Sequence, residues 1–187
     1  RTIPGLQVIR PADAKETVAA WKSALQYAGP TALILSRQSL PILDLTKPDE
    51  LINGAYPLKS SPNDICTLLA TGSEVSACLE VAENMDQPIG VISMPSWEIF
   101  QDLVLKSTRS SQEKLPMYKA GIDGLTNGSP TISVEAGVTL GWGRYSDYQI
   151  GIDRFGASAP GETVISKLGL DSKSIEESIK KILDLGD

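Results

Sequence analysis

Residues 65–93, ICTLLATGSEVSACLEVAENMDQPIGVIS, decide the fold class. The stretch opens with an apolar run at 65–70 and closes with a second one at 89–93. Near-continuous apolar runs of this length are typical of strands that are buried on both faces. Between them, apolar residues recur at helical spacing, at Val75, Cys78, Leu79 and Ala82. A strand–helix–strand order joins parallel strands, so the stretch predicts a βαβ unit of a parallel sheet.

The same alternation continues towards the C terminus. Strands are predicted at 131–135 and 148–152, which brings this part of the chain to about four main strands. The predicted helices follow the N-cap Ser96, lie around 111–115 and at 162–167, and follow the N-cap Ser174. In the last of them, one face is predicted to be apolar, with Ile175, Ile179, Ile182 and Leu183. Alternating strands and helices favour a mostly parallel sheet that is covered on both faces.

A shorter unit of the same kind precedes this one. It begins with a strand at 6–10, and Asp13 then has the spacing of an N-cap with Glu16 in a capping box. A second strand at 31–35 is predicted to be buried on both faces. The predicted core face of the intervening helix consists of Ala14, Val18, Trp21, Leu25 and Ala28.

Periodicity is lost between the two units, where Pro, Gly and Ser are frequent. We expect residues 46–62 to be a linker that contains one short strand near 55–58. The chain is thus predicted to have two α/β parts, at 1–45 and at 63–187.

Composition excludes several functions. The 187 residues carry 23 acidic and 17 basic side chains, and the basic ones do not cluster as a nucleic-acid surface requires. No apolar run approaches the ~18 residues of a membrane span. Histidine is absent, which removes Ser-His-Asp and Cys-His catalysis and histidine-ligated metals.

Cys66 and Cys78 are expected to be free thiols of an intracellular protein. The chain, which begins without Met, is expected to be a piece of something longer and not a complete enzyme.

Six segments, taken together, carry a family signature. They are VIRPAD at 8–13, LSRQSLP at 35–41, ATGSEV at 70–75, SMPSWE at 93–98, VEAG at 134–137 followed by GW at 141–142, and GIDRFGASAP at 151–160. Their sequences and their order resemble those of transketolases. The one departure is Ser39, where the family usually has Asn.

The resemblance implies a fold and its domains. The fold is the mostly parallel, three-layer α/β sheet of the transketolase C-terminal domain, preceded by a βαβ tail of the pyrimidine-binding domain. Residues 1–45 correspond to that tail, 46–62 to a linker and 63–187 to the C-terminal domain.

The resemblance also implies an activity for the parent enzyme. Transketolases transfer a two-carbon ketol unit between sugar phosphates, in the pentose phosphate pathway or the Calvin cycle. They use thiamine diphosphate and a divalent metal, usually magnesium, and act as homodimers in the cytoplasm or, in plants and algae, in plastids. The family's diphosphate and magnesium motif, its activating glutamate and its substrate-handling histidines are missing from these residues. We therefore expect the chain alone to be inactive, and we assign it no catalytic, cofactor-binding or metal-binding residue.

Arg37 is the candidate site residue. The resemblance assigns this arginine to the phosphate of the sugar-phosphate substrate, and a guanidinium is suited to that role because it binds phosphate oxygens in pairs. Ser36 and Gln38 flank it and are expected to orient it. The alternative for Arg37 is a structural salt bridge to a nearby carboxylate.

Other functions stay open on the sequence alone. The chain could be a regulatory module that binds a small anion at the turn 71–73, a dimer-assembly domain, or a relative of dihydroxyacetone synthase. Glu135 is expected to be a structural hydrogen-bond partner, and the stretch 153–156 a structural or subunit contact. We expect the aromatic side chains of Trp97, Trp142 and Phe155 to be packing or interface anchors.

Overall fold

The computed structural model describes residues 1–107 and 114–185. The predicted helix around 111–115 falls partly outside them, and the described helix there, α4, spans Lys114–Asp123. Two α/β units make up the described chain. The first unit comprises residues 7–33 and the second unit residues 56–182.

The first unit is a small βαβ motif. It contains β1 (Gln7–Ile9), α1 (Ala14–Gln26) and β2 (Thr31–Leu33), and the two strands pair in parallel with Gln7 opposite Thr31. The side chain of Asp13 accepts a hydrogen bond from the Glu16 amide at 2.8 Å, which confirms Asp13 as the N-cap of α1.

The second unit is built on a five-stranded sheet with the strand order β3-β5-β4-β6-β7. The four strands β4 to β7 run parallel, and β3 pairs antiparallel with β5 at one edge. The predicted, mostly parallel α/β fold is thereby confirmed. The strands are β3 (Tyr56–Lys59), β4 (Cys66–Ala70), β5 (Ile89–Ser93), β6 (Thr131–Val134) and β7 (Tyr148–Ile150).

Helices cover both faces of this sheet and give it three layers. One apolar cluster contains Val75 of α2 and Ile175 of α6, and the other contains Phe100 of α3 and Tyr118 of α4. The predicted apolar faces of α2 and α6 are confirmed. The helices are α2 (Glu74–Asn84), α3 (Trp97–Ser107), α4, α5 (Gly161–Lys167) and α6 (Ser172–Ile182), with short 3-10 helices at Pro48–Asn53 and Trp142–Arg144.

The predicted burial of the first unit is wrong in two places. Val18, Trp21 and Leu25 of α1 are 58%, 54% and 82% exposed, and its buried residues are Glu16 and Ala20. Strand β2 is only partly buried, and the two apolar residues after it, Ile34 and Leu35, are exposed. The reason is that this sheet has only two strands within the described residues, so no further layer covers its outer surfaces.

The capping of α6 also differs from the prediction. Its N-cap is Asp171, whose side chain accepts from the Ser174 amide at 2.7 Å. Ser174 therefore supplies the donor of the capping bond and lies inside the helix. The sequence placed the cap too late because both residue types favour the N-cap position.

The segment 46–62 contains the 3-10 helix and β3, close to the strand expected near 55–58. The domain boundaries themselves stay a prediction. Cys66 and Cys78 are unpaired and buried, as expected, and burial raises the pKa of the Cys66 thiol to about 12. Within the described chain, no helix is both long and apolar enough to cross a membrane.

Candidate functional site

The loop after β2 presents the predicted site residues to solvent. Ser36, Arg37 and Gln38 are all exposed. The Ser36 hydroxyl donates to Oε1 of Gln38 at 3.1 Å and accepts from the Gln38 amide at 3.1 Å. These two side chains thus bond to each other and not to Arg37. They fix the backbone on either side of the arginine.

Arg37 itself has free hydrogen-bonding capacity. No ion pair or hydrogen bond joins its side chain to any residue in the ranges 1–107 and 114–185. The alternative of a structural salt bridge therefore has no partner in the described chain. A guanidinium with all its N–H groups available can bind an anion in a forked geometry.

The rest of this loop is anchored on the structure around it. Oδ2 of Asp13 accepts from the Leu43 amide at 3.0 Å and from the Thr46 hydroxyl at 2.7 Å. Nearer the arginine, the side-chain amide of Gln38 packs closely on Gly161. A Cβ atom on residue 161 would overlap the nitrogen of that amide. The loop is held by these contacts, which limits where Arg37 can reach.

A cleft of about 780 Å³ opens between residues 38–45 of this loop and helices α2, α5 and α6. Gln38 lines the cleft and Arg37 does not. Six carboxylates line the cleft and disfavour an anion there. Those carboxylates belong to Asp44, Glu74, Glu80, Glu83, Glu162 and Asp171.

A second candidate location is at the carboxyl ends of β4 and β6. Within the sheet, β5 lies next to β4 on one side, and the chain later returns to place β6 next to β4 on the other side. Such a switch in strand order creates the crevice where open α/β sheets bind their ligands. Here the guanidinium of Arg10 occupies it, with its two amino groups 3.0 Å from Oε2 of Glu74 and 2.7 Å from Oε1 of Glu135.

Glu135 has further partners in the same crevice. Its Oε2 accepts from Nε1 of Trp142 at 2.6 Å and from the guanidinium of Arg1 at 3.0 Å. The Arg1 guanidinium also lies 4.2 Å from the centre of the Trp97 ring, a cation–π contact. Glu135 is thus a structural hydrogen-bond partner, as the sequence predicted, and both tryptophans are packed.

Glu16 makes a second connection between the units. Its carboxylate, fully buried, accepts from the Tyr56 hydroxyl at 2.5 Å, the Ser93 hydroxyl at 2.6 Å and the Ala12 amide at 2.7 Å. Burial raises the pKa of this carboxyl, and the hydrogen bonds oppose that rise. Burial and the neighbouring Glu16 raise the pKa of Tyr56 as well.

In the loop that follows β7, one residue has the predicted structural role and another is more exposed than predicted. Asp153 accepts from the amide and the hydroxyl of Thr139, both at 2.8 Å, so it is a structural residue, and these bonds lower its pKa. Phe155 is 94% exposed, so the prediction that it anchors packing is wrong within the described chain. Its subunit-contact role stays a prediction.

The described residues do not fit a divalent-metal site of their own. In the ranges 1–107 and 114–185, no group of three aspartate, glutamate, cysteine or histidine side chains could hold a metal ion. The described residues thus offer no set of ligands for the magnesium that the resemblance implies.

Sequence reasoning missed three residues that the structure brings to the contact between the units. Arg10, Glu74 and Glu16 were seen only as parts of motifs or of a capping box. A signal was present, because Arg10 and Glu74 each follow an apolar strand directly or within a short turn, where parallel sheets bring charged groups together. Their pairing depends on how the units dock, and no spacing along the chain reports that.

Comparison with known proteins agrees with this architecture. Residues 54–171 match the family model described as transketolase-like C-terminal domain, and residues 1–42 match the transketolase pyrimidine-binding domain. The chain is 38% identical to the transketolase of Bacillus subtilis over 98% of its own length and 28% of that protein. It therefore spans little more than a quarter of this relative.

Solved structures show the same likeness. A transketolase from Leishmania mexicana superposes with a TM-score of 0.82 at 32% identity, covering 97% of this chain and 26% of that one. A transketolase from Pichia stipitis, solved in complex with sedoheptulose 7-phosphate, superposes with a TM-score of 0.80 at 33% identity. It covers 98% of this chain and 26% of its own.

Proposed function

The chain belongs to the transketolase family, and from that premise we propose that it is the segment of a thiamine-diphosphate-dependent transketolase that contributes Arg37 to substrate binding. The parent enzyme would transfer a two-carbon ketol unit between sugar phosphates in the pentose phosphate pathway or the Calvin cycle. It would use magnesium with its cofactor and act as a homodimer, in the cytoplasm or a plastid. The chain alone would be inactive.

The observation that carries this proposal is the state of Arg37. It is exposed, it has no hydrogen-bond or ion-pair partner in the described chain, and it lies on a loop that other residues anchor. An arginine that only stabilises a fold would be expected to use its donors within it. This one keeps them available at the carboxyl end of a parallel strand, where ligands bind such sheets.

Phosphate is the ligand that suits such a side chain. A guanidinium stays charged at any physiological pH and pairs two N–H groups with two phosphate oxygens. The Pichia stipitis relative was solved with sedoheptulose 7-phosphate, which supports a sugar phosphate as the substrate class. Ser36 and Gln38 contribute by fixing the backbone around Arg37 and not by holding its side chain.

The test is Arg37→Ala in the full-length parent enzyme. A charge-assisted hydrogen bond contributes roughly 1.5–3 kcal/mol, so kcat/KM for phosphorylated substrates should fall about 10- to 100-fold or more. Much of the loss should appear in KM, because the phosphate is remote from the bond that breaks. Hydroxypyruvate with an unphosphorylated acceptor should change little, and Arg37→Lys should recover part of the loss because it keeps the charge.

Arg144→Ala provides the matched control, because Arg144 is also exposed and the substitution removes the same charge. It should leave both substrate classes unchanged. Equal losses for phosphorylated and unphosphorylated substrates in Arg37→Ala, together with a lower melting temperature, would assign Arg37 to the scaffold and contradict the proposal.

The geometry gives little support to a regulatory anion site at the turn 71–73. The Gly72 amide donates to the Arg10 carbonyl at 3.1 Å, and the Ser73 hydroxyl donates to Glu74 at 2.5 Å. An anion at this turn would have to displace both bonds and approach the Glu74 carboxylate. The dimer-assembly and dihydroxyacetone synthase-like alternatives rest on no structural observation that favours them.

A further inference from the structure

We propose that the crevice outside the carboxyl ends of β4 and β6 is a guanidinium-binding site, which the chain fills with its own Arg10 and which thereby stabilises the contact between the first unit and the second. The Arg10 side chain thus occupies the place where this sheet topology would bind a ligand. The proposal does not depend on the role of Arg37.

Carboxylates form the walls around the Arg10 guanidinium. Glu74 lies at the start of α2 and Glu135 at the end of β6, and each takes one amino group of the same guanidinium. The side chain of Glu74 is 2% exposed and that of Arg10 is 13% exposed. The side chain of Glu135 is 10% exposed, so both carboxylates are largely buried and need cationic partners, which for Glu135 are Arg10 and Arg1. A planar fork matches both at once, whereas a point charge would face only one.

Gly72 lies against the Arg10 guanidinium. It has a φ of +64°, a backbone conformation that favours glycine. A Cβ atom there would lie 3.2 Å from Cζ of Arg10 and would press on the guanidinium.

The main chain of Arg10 is held independently of its side chain. Its amide donates to the Pro95 carbonyl at 2.9 Å, and its carbonyl accepts from the Gly72 amide at 3.1 Å. Close by, the Val8 amide donates to Glu98 at 3.1 Å. Removing the side chain should thus empty the guanidinium-binding site without releasing the segment that crosses it.

The experiment is chemical rescue of Arg10→Ala in the purified chain. The variant should melt about 10 °C below the wild-type chain, because the buried Glu74 loses its cation and Glu135 keeps only Arg1 as an ionic partner. Guanidinium chloride at about 50 mM, far below denaturing concentrations, should then raise its melting temperature by about 2–4 °C in a saturable manner. Sodium chloride at the same ionic strength should not produce this rise.

Arg37→Ala is the control, because it removes an equal charge at an exposed site. Guanidinium should raise neither its melting temperature nor that of the wild-type chain. A rise of the same size in all three proteins, or no rise in Arg10→Ala, would overturn the guanidinium-binding site.

Arg10→Lys serves if Arg10→Ala does not fold. It keeps a positive charge but loses the fork, so one carboxylate loses its partner. Adding Glu74→Gln should then lower the melting temperature less than the same substitution does in the wild-type chain, because the two residues are coupled. Equal losses in both backgrounds would show that Arg10 and Glu74 act separately, which contradicts the proposal.

Discussion

Glu16 shows how a single residue joins the two units. Its carboxylate receives three hydrogen bonds, one from its own unit and two from strands β3 and β5. The other titratable groups that act on it are Asp13 and Tyr56. Because its pKa is raised by burial, the folded chain holds this proton to a higher pH than the unfolded chain does.

The sign of the pH effect follows from that shift. The stability that Glu16 contributes is fully present below its ordinary pKa of 4.5 and is lost as the pH rises through the folded value. Glu16→Gln cannot ionise, so the wild-type chain should lose stability relative to this variant as the pH rises from about 4 to about 7. Urea unfolding across this pH range measures the difference. Glu83→Gln, at an exposed position, should track the wild type; an unchanged pH dependence in Glu16→Gln would contradict the assignment.

At this scale the sequence revealed local contacts and missed distant ones. The bond from the Glu16 amide to Asp13 spans three residues, and the spacing of a capping box predicts it. The bonds from Tyr56 and Ser93 to Glu16 span 40 and 77 residues. They exist only because β1 and α1 dock on the second sheet, and nothing in the spacing of a single chain encodes that. Arg37 was found through a family motif and not through its surroundings.

At the scale of the element, a helical pattern predicted burial only where the described residues supply a covering layer. The apolar face of α6 meets α2, and Ile175 and Ile179 are fully buried, as predicted. The apolar face of α1 has an equally regular pattern, yet Leu25 is 82% exposed. Periodicity reports that a face is apolar, and it does not report whether a covering layer is present. Strand β2 is likewise apolar in sequence but only partly buried, because no layer of the described residues covers it.

The corrected N-cap of α6 can be tested directly. Asp171→Ala should lower the free energy of unfolding by about 1 kcal/mol, because an amide of the first turn loses its acceptor. Ser174→Ala should cost less, since the amide that it contributes to the capping bond remains. Asp171→Asn should retain most of the stability, because asparagine caps helices about as well as aspartate does. Urea unfolding measures the free energy of unfolding of the three variants. A larger loss in Ser174→Ala than in Asp171→Ala would show that Ser174 is the N-cap.

At the scale of the whole molecule, strand and helix alternation predicted a mostly parallel sheet, because each βαβ unit sets the direction of the next strand. The antiparallel edge strand β3 was less visible, since it lies in a stretch rich in proline and glycine where periodicity fails. The docking of the units through Arg10 and Glu16 depends on buried polar groups, whose pairing only the folded chain shows. Function was predicted mainly by resemblance, because the candidate arginine takes part in no cluster that a pattern of residue types would reveal.

The last prediction concerns the activity of the isolated chain. The purified 187 residues should show no ketol transfer and no tight binding of thiamine diphosphate in the presence of magnesium. The sequence contains no histidine to handle substrate hydroxyls, and it spans 28% of the Bacillus subtilis relative. A coupled assay with sugar phosphates as donor and acceptor measures the first expectation, and calorimetric titration measures the second. A full-length transketolase under the same conditions is the positive control. Turnover that scales with the concentration of the purified chain would contradict the proposal that this segment depends on the rest of a parent enzyme. Inactivity, together with phosphate binding that is lost in Arg37→Ala, would support a substrate-binding segment that supplies one arginine to a larger site.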